Sequence, residues 1–133
     1  MRQFGDLFPG LPADLATRGV TGLAFDSRKV VSGDVFVAIP GSTADGAAFV
    51  AKAVAAGAVA VVGEAPRPAD LPAGVAYLQV PDARLALANG AARLRPGQPG
   101  TVVAVTGTSG KSSVAEFTRQ LYAALGLDSA SLG

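Results

Sequence analysis

The sequence predicts an α/β protein: an N-terminal mixed or parallel sheet flanked by helices, followed by the first strand–loop–helix unit of a second domain. Three observations carry this expectation. Short β-branched runs such as Val35–Ile39 (VFVAI) and Val59–Val62 (VAVV) alternate with segments of helical spacing, the pattern of strands joined by crossover helices. The apolar content, mostly Ala and Val, is cut into short pieces by 17 Gly and 9 Pro. The stretch Arg95–Gly100 (RPGQPG) holds two Pro and two Gly in six residues and is the best linker in the chain. It sets the expected division into a first domain over 1–97 and the start of a second over 98–133.

Taken in order, Val20–Phe25 (VTGLAF) reads as a strand that feeds the polar turn Asp26-Ser27-Arg28. Ser32-Gly33-Asp34 is a turn signal and Val35–Ile39 a buried strand, stopped by Pro40-Gly41. Asp45 is placed to cap a helix that runs to Gly57, with Phe49, Ala53 and Ala56 on one face and Val50 and Val54 on another. Strands follow at Val59–Val62 and Val75–Val80, separated by a surface loop, Pro66–Pro72, with three prolines in seven residues. Asp82 caps a helix over Ala83–Leu94 with Leu85, Ala88 and Ala92 as its stripe. Beyond the linker, Thr101–Val105 reads as a strand, Ser112–Leu125 as a helix stopped by Gly126, and Asp128–Gly133 as the start of a further strand. One strand, one helix and part of another strand are too few to bury a core, so the natural protein is expected to be longer than 133 residues.

Composition narrows the chemistry. Eleven Lys+Arg against 10 Asp+Glu give a formal net charge of +1, with no basic stripe for nucleic acid. Mean hydropathy is +0.40, yet no apolar run approaches the roughly 18 to 20 residues that cross a bilayer. The N-terminus MRQFGDLFPGLP has neither the basic opening nor the apolar core of an export signal. The chain contains no Cys and no His, which removes disulfides, thiolate metal sites and the commonest proton shuttle. A soluble, cytoplasmic chain without nucleic-acid or membrane partners is expected. Its chemistry rests on carboxylates, hydroxyls, Lys, Arg, backbone amides and a bound ion.

Two constellations stand out. Thr106–Ser113 (TGTSGKSS) lies between the last full strand and the last helix, where consecutive N–H groups and the helix dipole can face an anion. Gly107 and Gly110 permit close backbone approach, Lys111 suits the β/γ-phosphates, and Ser112 offers a hydroxyl to Mg²⁺. The usual first Gly of G-x-x-x-x-G-K-[ST] would fall at Val105, so the loop is a shorter variant, T-G-T-x-G-K-S. Ser113 reads from its neighbours as helix filler, and Glu116 and Arg119 as an ordinary solvent face. The second constellation is Asp26-Ser27-Arg28 together with Gly41–Gly46 (GSTADG), two polar loops at strand ends, where open α/β sheets bind ligands. Arg28 can grip a phosphate or a carboxylate through two N–H groups. Equally, Asp26 and Arg28 can pair with each other or cap turns, and residue chemistry leaves both readings open.

Together, D-S-R…G-D-x-F-V-A…G-x-x-x-D-G and T-G-T-x-G-K-[ST] stand in the order and spacing of the Mur ligase family, which residues 20–133 resemble, most nearly in its MurE type. The resemblance implies an ATP-dependent acid–amino-acid ligase of peptidoglycan synthesis. Such an enzyme adds the third amino acid to UDP-MurNAc-L-Ala-D-Glu through an acyl phosphate, and this chain is an N-terminal fragment of it, inactive alone. Residues 1–97 would hold the UDP substrate through Phe25, Ser27, Ser42, Thr43 and Ala44. Residues 98–133 would open the ATP-binding domain, with ATP held by Gly107, Thr108, Ser109, Gly110, Lys111, Ser112 and Ser113, Lys111 catalytic and Ser112 on Mg²⁺. The partners implied are UDP-MurNAc-dipeptide and diaminopimelate or lysine, for a monomeric enzyme. The chain departs from the family at Ser42-Thr43, where larger polar side chains are common, and at Ser109, where MurE-type enzymes often carry Asn and MurF-type enzymes also use Ser. A MurF-type ligase, a stand-alone UDP-sugar-binding module with a structural loop, and an unrelated P-loop ATPase or kinase are the alternatives. The last leaves the D-S-R and G-D-x-F-V-A elements unexplained.

Overall fold

The computed structural model describes residues 1–41, 46–97 and 99–132. It divides into two units, Met1–Gly97 and Gln98–Gly133. In the first, strands β1 (Arg2–Gln3) and β2 (Gly19–Val20) form an antiparallel pair that brackets two single-turn helices, α1 (Phe4–Leu7) and α2 (Ala13–Ala16). A four-stranded sheet follows: β3 (Leu23–Ala24), β4 (Val35–Ala38), β5 (Ala60–Gly63) and β6 (Ala76–Gln79), adjacent in chain order and all parallel. Helix α3 (Gly46–Ala55) crosses from β4 to β5, and α4 (Ala83–Leu94) follows β6.

A parallel sheet buried on both faces needs apolar residues on both sides of each strand, and the sequence supplies them in strict alternation. Val35, Val37, Ala60, Val62 and Ala76 enter one core with Phe4, Leu7, Phe8, Val20 and Ala83. Phe36 and Val61, one residue out of phase, enter the opposite core with Val30, Val50, Ala53, Leu71 and Val75. The register pairs Phe36 with Val61 and Val61 with Tyr77. A slip of one residue would therefore exchange the two cores.

Two expectations are corrected, and the buried face of α3 is decided between the two the sequence offered. The run Val20–Phe25 is not one strand, because Thr21-Gly22 divides it between β2 and β3, which belong to different sheets. Helix α3 buries Val50 and Ala53 with Val54 packed beside them, while Phe49 turns outward beneath the Lys52 ammonium. The sheet, not the bulk of the side chain, selects that face. In α4 the stripe Leu85/Ala88/Ala92 is likewise not the buried one: Leu85 is exposed, and the helix packs through Ala83, Ala86, Leu87 and Leu94. Gly90 decides this. A Cβ there would stand 3.0 Å from the Phe8 ring and 3.1 Å from Leu23 Cδ1, so the helix can approach closely only along its glycine. The expected cap is present, with Asp82 Oδ1 accepting from Leu85 N–H at 2.9 Å. The expected cap of α3, Asp45, lies outside the described residues.

The connections are tied by side chains that reach backbone carbonyls. The Arg67 guanidinium donates to Val75 O at 3.0 Å, Pro72 O at 3.0 Å and Leu71 O at 3.3 Å, closing the proline-rich loop between β5 and β6. Arg18 donates to Val59 O at 3.1 Å and also to Gly74 O, and Arg93 donates to Leu7 O at 3.0 Å. In each case a backbone carbonyl receives a charged donor, the stronger kind of hydrogen bond, and Val59 O and Pro72 O do so in addition to a backbone N–H.

In the second unit the only regular element among the described residues is α5 (Lys111–Ala124). Gly126 takes φ +82° just past its end, as the stop signal requires. Thr101–Val105, expected as a strand, has no ladder partner among the described residues, and its Val102 and Val103 are exposed. A β-branched run becomes a strand only when a neighbour accepts its hydrogen bonds. Residues 128–132 likewise form no strand, and Gly133 lies outside the described residues.

Candidate functional site

The polar turn after β3 leaves the C-terminal edge of the parallel sheet. There Phe25 is 63% exposed, whereas Ser27, two residues on, is only 8% exposed. The alternation arises from the turn that Asp26 closes: its Oδ1 accepts from the Arg28 backbone N–H at 3.0 Å, and its backbone O accepts from Lys29 N–H at 2.9 Å. Asp26 also grips the Arg28 side chain, with Nε to Oδ1 at 2.9 Å and Nη2 to Oδ2 at 2.7 Å. Of the two readings left open by the sequence, pairing between Asp26 and Arg28 is thus realised. The Arg28 hydrogen bonds hold the Asp26 carboxyl well below the usual carboxylate range, at about 2.

Asp34, immediately before β4, is 5% exposed and fully engaged, with Oδ1 accepting from Thr21 Oγ1 at 3.0 Å and Oδ2 from Val31 N–H at 3.1 Å. The G-D dipeptide therefore serves as a buried brace that anchors β4 at the end opposite the D-S-R turn. Gly22 makes room for it, since a Cβ there would lie 2.8 Å from Asp34 Oδ1. The second polar loop expected at the site, with Ser42, Thr43 and Ala44, lies outside the described residues.

The loop of the second unit has the backbone that its glycines allow: Gly107 has φ +148° and Gly110 φ +75°, both in the region that side chains resist. Gly110 is the N-cap of α5, and the first intrahelical bond runs from Val114 N–H to Gly110 O at 3.0 Å. The N–H groups of Lys111, Ser112 and Ser113 precede that bond and remain as donors at the positive end of a 14-residue helix. The Lys111 ammonium donates to Gly107 O, so it folds over the loop rather than away from it. Thr108, Ser109, Ser112 and Ser113 are exposed around it. This donor set fits a nucleotide's phosphate chain: one cation, consecutive amides, a hydroxyl on Ser112 that could meet a divalent ion, and no Cβ crowding at Gly110.

Glu116 and Arg119 prove to be more than a solvent face. Arg119 donates to Glu116 through Nε at 2.9 and 3.0 Å and through Nη2 at 2.5 Å, and Gln120 Nε2 adds a bond at 3.1 Å. Ser131 Oγ donates to Glu116 Oε2 at 3.1 Å, and Ser129 Oγ to Arg119 O at 3.0 Å, which brings the segment after α5 back along the helix. The i,i+3 pair was legible in the sequence; its serine partners, ten and fifteen residues away, were not. These hydrogen bonds, the Arg119 one foremost, lower the Glu116 pKa from 4.5 to about 2. A group depressed in the folded state stabilises above its unfolded pKa and loses that contribution as pH falls through the folded one. The Ser129–Ser131 docking is therefore expected to be complete above pH 4.5 and lost as pH drops towards 2. Amide exchange at residues 129–131 across this range checks it, and protection independent of pH would contradict it.

A family model described as "Mur ligase family, catalytic domain" matches residues 19–95. The chain is 54% identical over 120 residues to the UDP-N-acetylmuramoyl-L-alanyl-D-glutamate–2,6-diaminopimelate ligase of Bradyrhizobium diazoefficiens, covering 90% of this chain and 24% of that one. A solved structure of a ligase of that name superposes with a TM-score of 0.73 at 25% identity, over 93% of this chain and 26% of the other. The MurF ligase of Thermotoga maritima in complex with ADP gives 0.64 at 31% identity, over 79% and 24%. The chain thus spans about a quarter of the length of the curated relatives it matches. With the family model extending across more than half of the 133 residues, this chain belongs to the Mur ligase family.

Proposed function

We propose that the chain supplies the nucleotide-substrate unit and the ATP loop of a ligase of peptidoglycan synthesis. That ligase joins 2,6-diaminopimelate to UDP-N-acetylmuramoyl-L-alanyl-D-glutamate. The observation that carries this reading is the 54% identity to a ligase of that name across nine-tenths of the chain. The names of the relatives favour diaminopimelate over lysine. In this reading Met1–Gly97 takes the UDP end of the substrate. Phe25 offers a ring face, Ser27 a hydroxyl, and Ser42, Thr43 and Ala44 the second loop. Gln98–Gly133 takes ATP, through Gly107, Thr108, Ser109, Gly110, Lys111, Ser112 and Ser113.

ATP, when bound, supplies the phosphoryl group that activates the substrate carboxylate for attack by the incoming amine. The chain's own contribution is electrostatic: Lys111 and the loop amides hold the phosphates and offset the charge that develops during transfer. The Ser112 hydroxyl would be a Mg²⁺ ligand. A monomer acting in the cytoplasm goes with this reading. No helix of the described residues is long and apolar enough to cross a membrane. A MurF-type ligase is the second reading, favoured by the structural likeness to the Thermotoga maritima enzyme.

Calorimetry on the 133-residue chain tests the proposal. Binding of the UDP-linked dipeptide is expected, weakened about two- to tenfold by Ser27→Ala, the loss of one hydrogen bond. No ligase turnover above a Lys111→Ala control is expected from the chain alone. Nucleotide triphosphate binding without any uridine-nucleotide binding would instead mark a generic P-loop ATPase.

A further inference from the structure

The Asp26–Arg28 pair is asymmetric in a way that a solvated surface pair is not. The Asp26 side chain is 20% exposed and the Arg28 side chain 86%. The covered partner is also the one fixed by the backbone, because the same carboxylate closes the turn on the Arg28 N–H at 3.0 Å. A guanidinium carries five N–H donors in a rigid planar fork. Asp26 occupies the Nε edge, through Nε at 2.9 Å and Nη2 at 2.7 Å. The Nη1 edge stays outward on an exposed side chain, and it has the spacing of two phosphate oxygens. The long side chain is thereby ordered before any ligand arrives, which lowers the entropy cost of binding. On either side of Asp26 in the chain the turn sets an exposed aromatic ring, Phe25, and a buried serine, Ser27.

We infer that Arg28 is the diphosphate-facing cation of the substrate site and that Asp26 is its positioning residue, holding one edge of the guanidinium so that the other meets the anion. This rests on the reading that the turn after β3 takes a uridine diphosphate-linked substrate, and it adds which residues would read the diphosphate. Lysine at this position would not serve, since an ammonium has no second edge. Asp26 acts through Arg28 and touches no ligand itself.

Titrations of the full chain with UDP and with uridine, for the wild type, Asp26→Asn, Arg28→Lys and the double variant, separate the possibilities. Arg28→Lys keeps the charge and the turn-closing backbone bond, so it remains informative if Asp26→Asn unfolds, which circular dichroism would reveal. The expected result is a five- to tenfold loss of UDP affinity in each single variant, with uridine affinity unchanged. The double variant should be no weaker than Arg28→Lys. The sign for Asp26→Asn is decisive: removing a negative charge beside a dianion would tighten binding if only the net field mattered, whereas lost positioning weakens it. Unchanged or tighter UDP binding in Asp26→Asn, or unchanged UDP binding in Arg28→Lys, overturns the inference while leaving the substrate reading intact. Parallel losses for UDP and uridine would reduce the pair to a structural role and also overturn it. Absence of UDP and uridine binding by the wild type at millimolar concentration would overturn the substrate reading and the inference with it.

Discussion

Phe36→Ala is expected to cost the first unit about 3–5 kcal/mol, the usual range for emptying a buried phenylalanine site. Phe36 is 2% exposed on β4, where it faces the core that α3 and the proline-rich loop cover. Its neighbours there are Val50, Ala53, Val61, Leu71 and Val75, most of them small, β-branched or held by backbone constraints. They can collapse only partly into the space, because Val61 is fixed in register on β5 and the loop carrying Leu71 is clamped by Arg67. Against a total stability of about 5–15 kcal/mol for an ordinary domain, such a loss removes a large fraction. For a unit of this size it should lower the melting temperature by more than about 10 °C, read by circular dichroism. A shift below about 5 °C would mean that this face of the sheet is loosely packed.

The second large effect belongs to Lys111. Replacing it with Ala removes the only cation of the Thr106–Ser113 loop and leaves the amides of residues 111–113 as its donors. A hydrogen bond to a charged group contributes about 1.5–3 kcal/mol. At 1.4 kcal/mol per decade, the chain's affinity for tripolyphosphate or Mg-ATP should therefore fall about 10- to 100-fold. Because the only Lys111 side-chain hydrogen bond among the described residues is the one to Gly107 O, the fold should be untouched. UDP affinity should likewise be unchanged in the same variant. Equal losses for ATP and UDP would mean that the two motifs do not serve separate ligands.

Much of the first unit was legible in the sequence because its central strands, β4 and β5, are buried on both faces. Val35–Ile39 and Val59–Val62 are continuous apolar runs, Val75–Val80 is broken only by the exposed Gln79, and each became a strand within one residue or so of its expected limits. The Asp82 cap needed only the local fact that a short carboxylate side chain reaches an N–H three residues on. The N-terminal segment was the largest omission. Phe4, Leu7 and Phe8 stand at helical spacing, and all three are in the core, with Phe4 and Phe8 rings in edge contact at 5.4 Å. Their spacing was a readable signal, but Pro9 and Gly10 confine it to a single turn that resembles a loop.

At the candidate site the division is similar. The glycine conformations of the Thr106–Ser113 loop follow from residue type, since positive φ at Gly107 and Gly110 is available to little else. What the D-S-R turn does with its charges does not follow from residue type, because pairing and ligand gripping use the same guanidinium.

The sequence by itself determined the strands at Val35–Ile39, Val59–Val62 and Val75–Val80, the helices that follow Asp82 and the Thr106–Ser113 loop, and the family pattern of that glycine-bearing loop. Those are local properties of backbone freedom, side-chain shape and spacing. Only the tertiary structure decided which helix faces are buried, because α3 and α4 each carry more than one small apolar stripe and the sheet selects among them by approach distance, at Gly90 most visibly. It also decided that Val20 and Leu23 belong to different sheets, that Thr101–Val105 pairs with no strand among the described residues, and that Asp26 holds one edge of Arg28 while the other faces outward. Each of these depends on contacts between residues far apart in sequence or on the three-dimensional course of a turn, and neither is encoded in the spacing of the residues alone.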